Sequence, residues 1–198
     1  VKNLKKTKKT RKAAKLEIKD AITMSLIGKP NVGKSSLLNA ILGEDRVIVS
    51  PIPFTTRESI DTYLEYKKQN IILIDTAGLR KKAKIKKGLE KTSATKSLLN
   101  ARRSDICFLV IDISEPISSQ DNKLSKILIE SQTSIIIIAN KWDKIEDKDT
   151  KTQKKFTGHI YNNFPYLTWA PIIFVSAKNK KNTNKFWIWL WKYIKIDK

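Results

Sequence analysis

The chain has 198 residues, 40% of them hydrophobic, enough for one substantial core and too few for a second full domain. Its formal net charge is +21, a field that favours a polyanionic partner such as RNA, with affinity that falls as salt rises; a lysine-rich composition along the whole chain is the bland alternative. The lone Cys107 excludes an internal disulfide and suits a reducing, cytoplasmic compartment, and no apolar run approaches the roughly 20 residues that span a bilayer, so a soluble protein with no membrane partner is expected.

Val1 to Lys19 carries nine Lys and Arg against Glu17 alone and lacks apolar periodicity, so it reads as a disordered basic arm or linker. From Asp20 onward, strand-like runs alternate with helical ones. Strands are expected at Ile22 to Ile27, Ile60 to Tyr66, Ile71 to Ile74, Ile106 to Ile111, Ser134 to Ala139 and Ile172 to Val175. Helices are expected at Lys34 to Leu42, Leu89 to Ala101, Asp121 to Glu130, Lys151 to Asn163 and Asn182 to Ile194. Near-continuous apolar strands such as Ile135 to Ile138 belong to a parallel sheet covered on both faces. Ile60 to Tyr66 and Ile71 to Ile74, joined by a short polar turn at Lys68, Gln69 and Asn70, read instead as an antiparallel hairpin. The fold class is therefore α/β, a mostly parallel six-stranded sheet with one antiparallel strand and helices on both faces. Phe186, Leu190 and Ile194 share one helical stripe, and Trp187 and Trp191 another, so the aromatic end of the chain reads as packing, with some tryptophan surface left for docking.

The most informative segment is Gly28-Lys29-Pro30-Asn31-Val32-Gly33-Lys34-Ser35, followed by Ser36, which fits the phosphate-loop pattern G-x-x-x-x-G-K-[ST] between a strand and a helix. Its backbone N–H groups suit a β-phosphate, Lys34 adds a cation near the β and γ oxygens, and Ser35 offers a hydroxyl to Mg²⁺. Asp75-Thr76-Ala77-Gly78 follows the strand at Ile71 to Ile74; Asp75 is placed to hold Mg²⁺ through water, and the Gly78 N–H to reach a γ-phosphate. Asn140-Lys141-Trp142-Asp143 follows another strand. The Asp143 carboxylate only accepts hydrogen bonds, so it matches the N1–H and N2–H₂ of guanine and mismatches adenine, which favours GTP and GDP as ligands. Ser176-Ala177-Lys178 follows the last strand and offers a backbone N–H to the guanine O6.

With these four elements in order, residues 20–198 resemble a GTPase domain of the TrmE-Era-EngA-like class, and within it the second GTPase domain of the Der (EngA) ribosome-assembly family. Gly43 to Ser50, Asp75 to Leu79 with Arg80-Lys81-Lys82, Gly88-Leu89-Glu90-Lys91, and Asn140 to Asp143 carry the resemblance. It implies a GTP-hydrolysing switch acting on the large ribosomal subunit and its rRNA, with water attacking the γ-phosphate in line. It also implies that 1–19 is an interdomain linker, that a following KH-like domain is absent so the chain is a fragment, and that the unit is a monomer. A GTP-binding RNA or ribosome module with impaired hydrolysis, or a GTPase domain of the MnmE tRNA-modification type, are the alternatives.

The same resemblance implies a mechanism. Leu79 stands where Ras-type proteins place a water-orienting Gln, and related families use a bound K⁺ coordinated by the residue equivalent to Asn31. Thr56, beside Thr55, is expected to close on Mg²⁺. The family's D-I-P-G-T-T-R-D reads here as Pro51-Ile52-Pro53-Phe54-Thr55-Thr56-Arg57-Glu58, and Phe54 replaces a glycine, which puts turnover rate and K⁺ dependence in question. The basic run at Arg80-Lys81-Lys82, Lys84 and Lys86-Lys87 is a candidate coupling of nucleotide state to RNA contact. His159 reads as a surface helix residue, and Asp143, Glu146, Asp147 and Asp149, interleaved with Lys144 and Lys148, as a solvated loop.

Overall fold

The computed structural model of the chain describes residues 21–44, 47–49, 61–76 and 90–196, the side chains of 90–94 and 193–196 excepted. The basic arm, the Thr56 loop, and Ala77 through Leu89 with their lysines lie outside these residues.

Seven strands and five helices alternate along the described chain. They run β1 (Ile22–Ile27), α1 (Lys34–Leu42), β2 (Val47–Val49), β3 (Thr62–Tyr66), β4 (Gln69–Leu73), α2 (Glu90–Arg102), β5 (Ile106–Asp112), α3 (Ser119–Glu130), β6 (Ser134–Asn140), α4 (Thr152–Asn163), β7 (Ile172–Phe174) and α5 (Asn184–Ile196). The sheet order is β2-β3-β4-β1-β5-β6-β7, and β3 alone runs against its neighbours. One strand more than the expected six is present: β2 pairs Val47 with Tyr66 and Val49 with Leu64 at the sheet edge. Three residues are too few to show a period, which is why it was not legible as a strand.

The β3–β4 turn also differs from expectation. Tyr66 pairs with Gln69, so the loop is Lys67-Lys68, with Gln69 and Asn70 already in β4. Both lysines take positive φ, 50° and 65°. Such two-residue turns normally advertise themselves with Asn-Gly, and two lysines give no such signal.

Side chains alternate between two cores, as the period of a strand dictates. Met24, Leu26, Phe108, Val110, Ile136 and Ile138 face α1 and α5, meeting Leu37, Leu38, Ile41, Phe186, Trp187 and Leu190. Cys107, Leu109, Ile111, Ile135 and Ile137 face the opposite layer, meeting Ala101 of α2, Leu124 and Leu128 of α3, and Ile160 of α4. Full burial of each such side chain stabilises the fold by about 1.5–3 kcal/mol. The aromatic end of the chain packs as expected: Phe186 sits 4.2 Å from Phe108, and Trp187 stacks on Tyr66 at 4.6 Å. Cys107 is a core residue and His159 is exposed on α4. Helix α3 begins with a capping box in which Ser118 and Asp121 bond each other's backbone N–H.

This topology creates the site. The chain leaves β1 toward β4 on one side and later extends the sheet through β5, β6 and β7 on the other, so β1 is the switch point at whose carboxyl end ligands of such sheets bind. The segments following β1, β4, β5, β6 and β7 all emerge at that edge.

Candidate nucleotide site

The loop between β1 and α1 is shaped by two close approaches. A Cβ on Gly28 would lie 2.2 Å from the Val110 carbonyl oxygen, and one on Gly33, at φ +97°, would lie 2.3 Å from the Asn140 side-chain nitrogen. Between them Asn31 takes a left-handed φ of 65°, which asparagine tolerates, and Val32 is buried in the core. Pro30 and Asn31 are exposed, while Gly28, Lys29, Gly33, Lys34 and Ser35 are half-buried and Ser36 is exposed. Lys34, on the first turn of α1, donates through Nζ to the carbonyls of Gly28 at 2.7 Å and Lys29 at 2.6 Å. The loop thus closes around the amino end of a helix, where N–H groups and the helix dipole favour an anion.

Asn140 joins the loops. Its Nδ2 donates to the Val32 carbonyl at 2.8 Å, and its Oδ1 accepts from the Ala177 N–H at 3.1 Å. Ser176 donates its hydroxyl to Asp143 Oδ1 at 2.5 Å and accepts from the Asn179 N–H at 3.1 Å, so one side of the Asp143 carboxylate is held in place. Lys178 is exposed beside it. Trp142, expected within the base-reading loop, turns its side chain to the core. Its ring is buried against Phe174 at 4.8 Å and Phe156 at 5.6 Å, and its backbone N–H donates to the Val175 carbonyl, so it packs the loop onto the core.

Asp75 takes a left-handed φ of 57°, its N–H donates to Asp61 at 2.8 Å, and its Oδ2 meets Lys96 Nζ at 2.9 Å and Asn100 Nδ2 at 3.3 Å. The carboxylate expected to face a metal therefore engages α2. Thr76 shares a 2.7 Å hydroxyl contact with Thr62. Thr56, Ala77, Gly78 and Leu79 lie outside the described residues.

The sequence reading missed the acids of the β5–α3 connection. Asp112 ends β5 with its side chain 2% exposed; its Oδ2 pairs with Lys141 Nζ at 2.5 Å, and its Oδ1 accepts from the Ser114 N–H and hydroxyl. Burial pulls the Asp112 carboxyl upward, but the hydrogen bonds from Lys141 and Ser114 outweigh it and hold the group below its usual range. Asp121, equally buried, meets Lys29 Nζ at 3.1 Å. Position at the end of a parallel strand was the one available signal for Asp112.

The sequence pattern of the family described as "50S ribosome-binding GTPase" matches residues 23–141. The chain belongs to the 50S ribosome-binding GTPase family. It is 50% identical to GTPase Der of Macrococcus caseolyticus over 165 residues, 83% of this chain and 38% of that one. It is also 51% identical to GTPase Der of Staphylococcus carnosus over 162 residues, 82% of this chain and 37% of that one. The chain thus spans less than two fifths of these relatives' length, as a GTPase domain of the Der kind. Solved structures agree on the P-loop GTPase fold alone. Era in complex with MgGDPNP and nucleotides 1506–1542 of 16S ribosomal RNA has a TM-score of 0.64 at 24% identity, over 88% of this chain and 57% of that one. A probable GTP-binding protein engB has 0.57 at 20%, over 87% and 98%. Among the described residues no helix is long and apolar enough to cross a membrane.

Proposed function

We propose that the chain is a GTP-binding and GTP-hydrolysing switch domain that serves assembly of the large ribosomal subunit, as the second GTPase domain of a Der-type protein. The observation that carries this reading is Asn140, whose one amide ties the phosphate loop at Val32 to the Ala177 loop while Asp143, held by Ser176, presents an acceptor for guanine N1–H and N2–H₂. The Ser176 and Ala177 N–H groups are already paired within the protein, so Lys178 supplies the loop's donor for the guanine O6.

In this reading Gly28 to Ser36 cradle the phosphates, and Lys34 leaves the Gly28 and Lys29 carbonyls to meet β and γ oxygens. The hydroxyls of Ser35 and Thr56 and the carboxylate of Asp75 would hold Mg²⁺, a set of hard oxygen donors that suits it. Mg²⁺, when bound, neutralises charge developing on the phosphate oxygens. Gly78 offers its N–H to the γ-phosphate, and water attacks in line. Asn31, exposed on the loop, would coordinate K⁺ in place of the glutamine that Leu79 replaces.

The family described as ribosome-binding and the net charge of +21 support rRNA as the partner. Phosphate release from GTP is the test: turnover faster in K⁺ than in equimolar Na⁺ is expected, and equal rates would remove the K⁺ assignment. A GTP-binding module with impaired hydrolysis is the second reading. The engagement of Asp75 by Lys96 favours it, and GTP binding without phosphate release would establish it.

A further inference from the structure

Two lysines, one within each of two nucleotide loops, are both fastened to one stretch of chain, from the end of β5 to the start of α3. Lys141 is held by Asp112 and Lys29 by Asp121, and each acid is 2% exposed at its side chain. We infer that Asp112 is a positioning residue for guanine recognition, setting the base-reading loop through Lys141, while Asp121 does the equivalent for the phosphate loop through Lys29. The inference rests on the GTP reading above.

Lys141 takes a left-handed φ of 64°, a conformation that a long-chain residue adopts only when its surroundings enforce it. It directly follows Asn140, whose amide fixes the phosphate loop, and lies two residues before Asp143. The Lys141 ammonium bonds Asp112 Oδ2 at 2.5 Å, and Ser114 donates to Asp112 Oδ1 through both its N–H, at 3.0 Å, and its hydroxyl, at 2.6 Å. Every oxygen of that buried carboxylate is therefore committed, and its position is set by the backbone of β5. The left-handed turn at Lys141 aims the short helical turn Trp142–Lys144, and with it Asp143. Loss of the ion pair frees that turn while leaving the Ser176–Asp143 contact available, so recognition of the guanine 2-amino group is what should blur.

Asp121 acts on the other half. Its Oδ2 accepts from Lys29 and from the N–H and hydroxyl of Ser118, at the capped start of α3. Lys29 lies in the phosphate loop itself, two residues from Asn31, and distant from the base-reading turn in the chain. The two acids should therefore fail differently when changed.

The experiment compares calorimetric titration of GDP and of inosine diphosphate, which lacks the 2-amino group that Asp143 accepts. For Asp112→Asn, the GDP-over-inosine-diphosphate preference should shrink at least about threefold, with GDP affinity itself falling about tenfold. For Asp121→Asn, both ligands should weaken by the same factor and the preference should stay. Asp112→Glu, which keeps the charge, should recover part of the preference. Asp112→Asn and Lys141→Gln combined should cost no more than either alone, whereas Asp112→Asn and Lys29→Gln should add. A variant that fails to fold is replaced by Ser114→Ala, for which a smaller loss of preference is expected. An unchanged preference in Asp112→Asn or in its replacement, with wild type still preferring GDP over inosine diphosphate and over ADP, would overturn this inference alone. Wild type that makes no distinction between GDP and ADP would overturn the GTP reading and this inference together.

Discussion

The side chain of Asn140 lies 2.8 Å from the Val32 carbonyl, a contact across 108 residues of chain that fixes the phosphate loop to the end of β6. Asn140 is 1% exposed, so its two bonds are made away from bulk solvent. Replacing it by alanine leaves the Val32 carbonyl and the Ala177 N–H without their partner, at about 1–3 kcal/mol for each buried group. Asn140→Ala should therefore lose at least about tenfold in GDP affinity, together with measurable stability in urea. Retention of wild-type affinity would show that the loops are held by other means.

The two glycines of the loop should fail for different reasons. Gly28→Ala drives a methyl into the Val110 carbonyl, part of β5 backbone that cannot yield, so a large loss of thermal stability is expected. Gly33→Ala meets a side chain, Asn140 Nδ2, and also requires a positive φ. Its fold should survive with a smaller shift in melting temperature, while nucleotide binding is lost along with the Asn140–Val32 bond. Calorimetry and thermal unfolding on the two variants separate these outcomes.

Lys96 holds the Asp75 carboxylate that the GTP reading assigns to Mg²⁺. Because Lys96 is 43% exposed at its side chain, the pair adds about 1 kcal/mol or less to stability. Lys96→Met should leave the fold nearly unchanged and free the carboxylate for a cation. Half-maximal Mg²⁺ for retention of bound GDP is then expected to fall a few-fold, read from nucleotide release at graded Mg²⁺. An unchanged or higher requirement would mean that Asp75 serves α2 and not the metal.

Acid should act through Asp112. Its carboxyl sits below the usual range in the folded chain, with the bonds from Lys141 and Ser114 overcoming the opposing pull of burial, so its stabilisation is complete above the unfolded value near 4. It is lost as pH falls through the lower folded value. Wild type should be more stable than Asp112→Asn at neutral pH, and the gap should close below about pH 4. Urea unfolding at graded pH measures this, and a gap that stays constant through the acid range would exclude Asp112 as a contributor.

How far the molecule could be read in advance depended on the range of the interaction. β1 and α1 fall at the residues where apolar spacing placed them, since both signals are local. The order of the four loops was equally legible, because each follows a strand whose burial on two faces leaves a near-continuous apolar run. β2 was lost because three edge residues carry no period, and the Lys67-Lys68 turn because its backbone is imposed by the strands it joins. The inward turn of the Trp142 ring was not legible because a short motif does not say which of its side chains faces the core. Asp112 was unseen because its partner Lys141 lies 29 positions away, and ion pairs across neighbouring strands leave no spacing to detect.

The most direct test is calorimetric titration of the purified chain with GDP and ADP in the presence of Mg²⁺, repeated on Asp143→Asn. The account predicts tight GDP binding and ADP binding weaker by at least about two orders of magnitude, since adenine meets the Asp143 carboxylate with an acceptor where guanine brings donors. It predicts further that Asp143→Asn loses GDP and gains xanthosine diphosphate, whose 2-carbonyl accepts from the new amide. Equal affinity for GDP and ADP, or no binding of either, would contradict it.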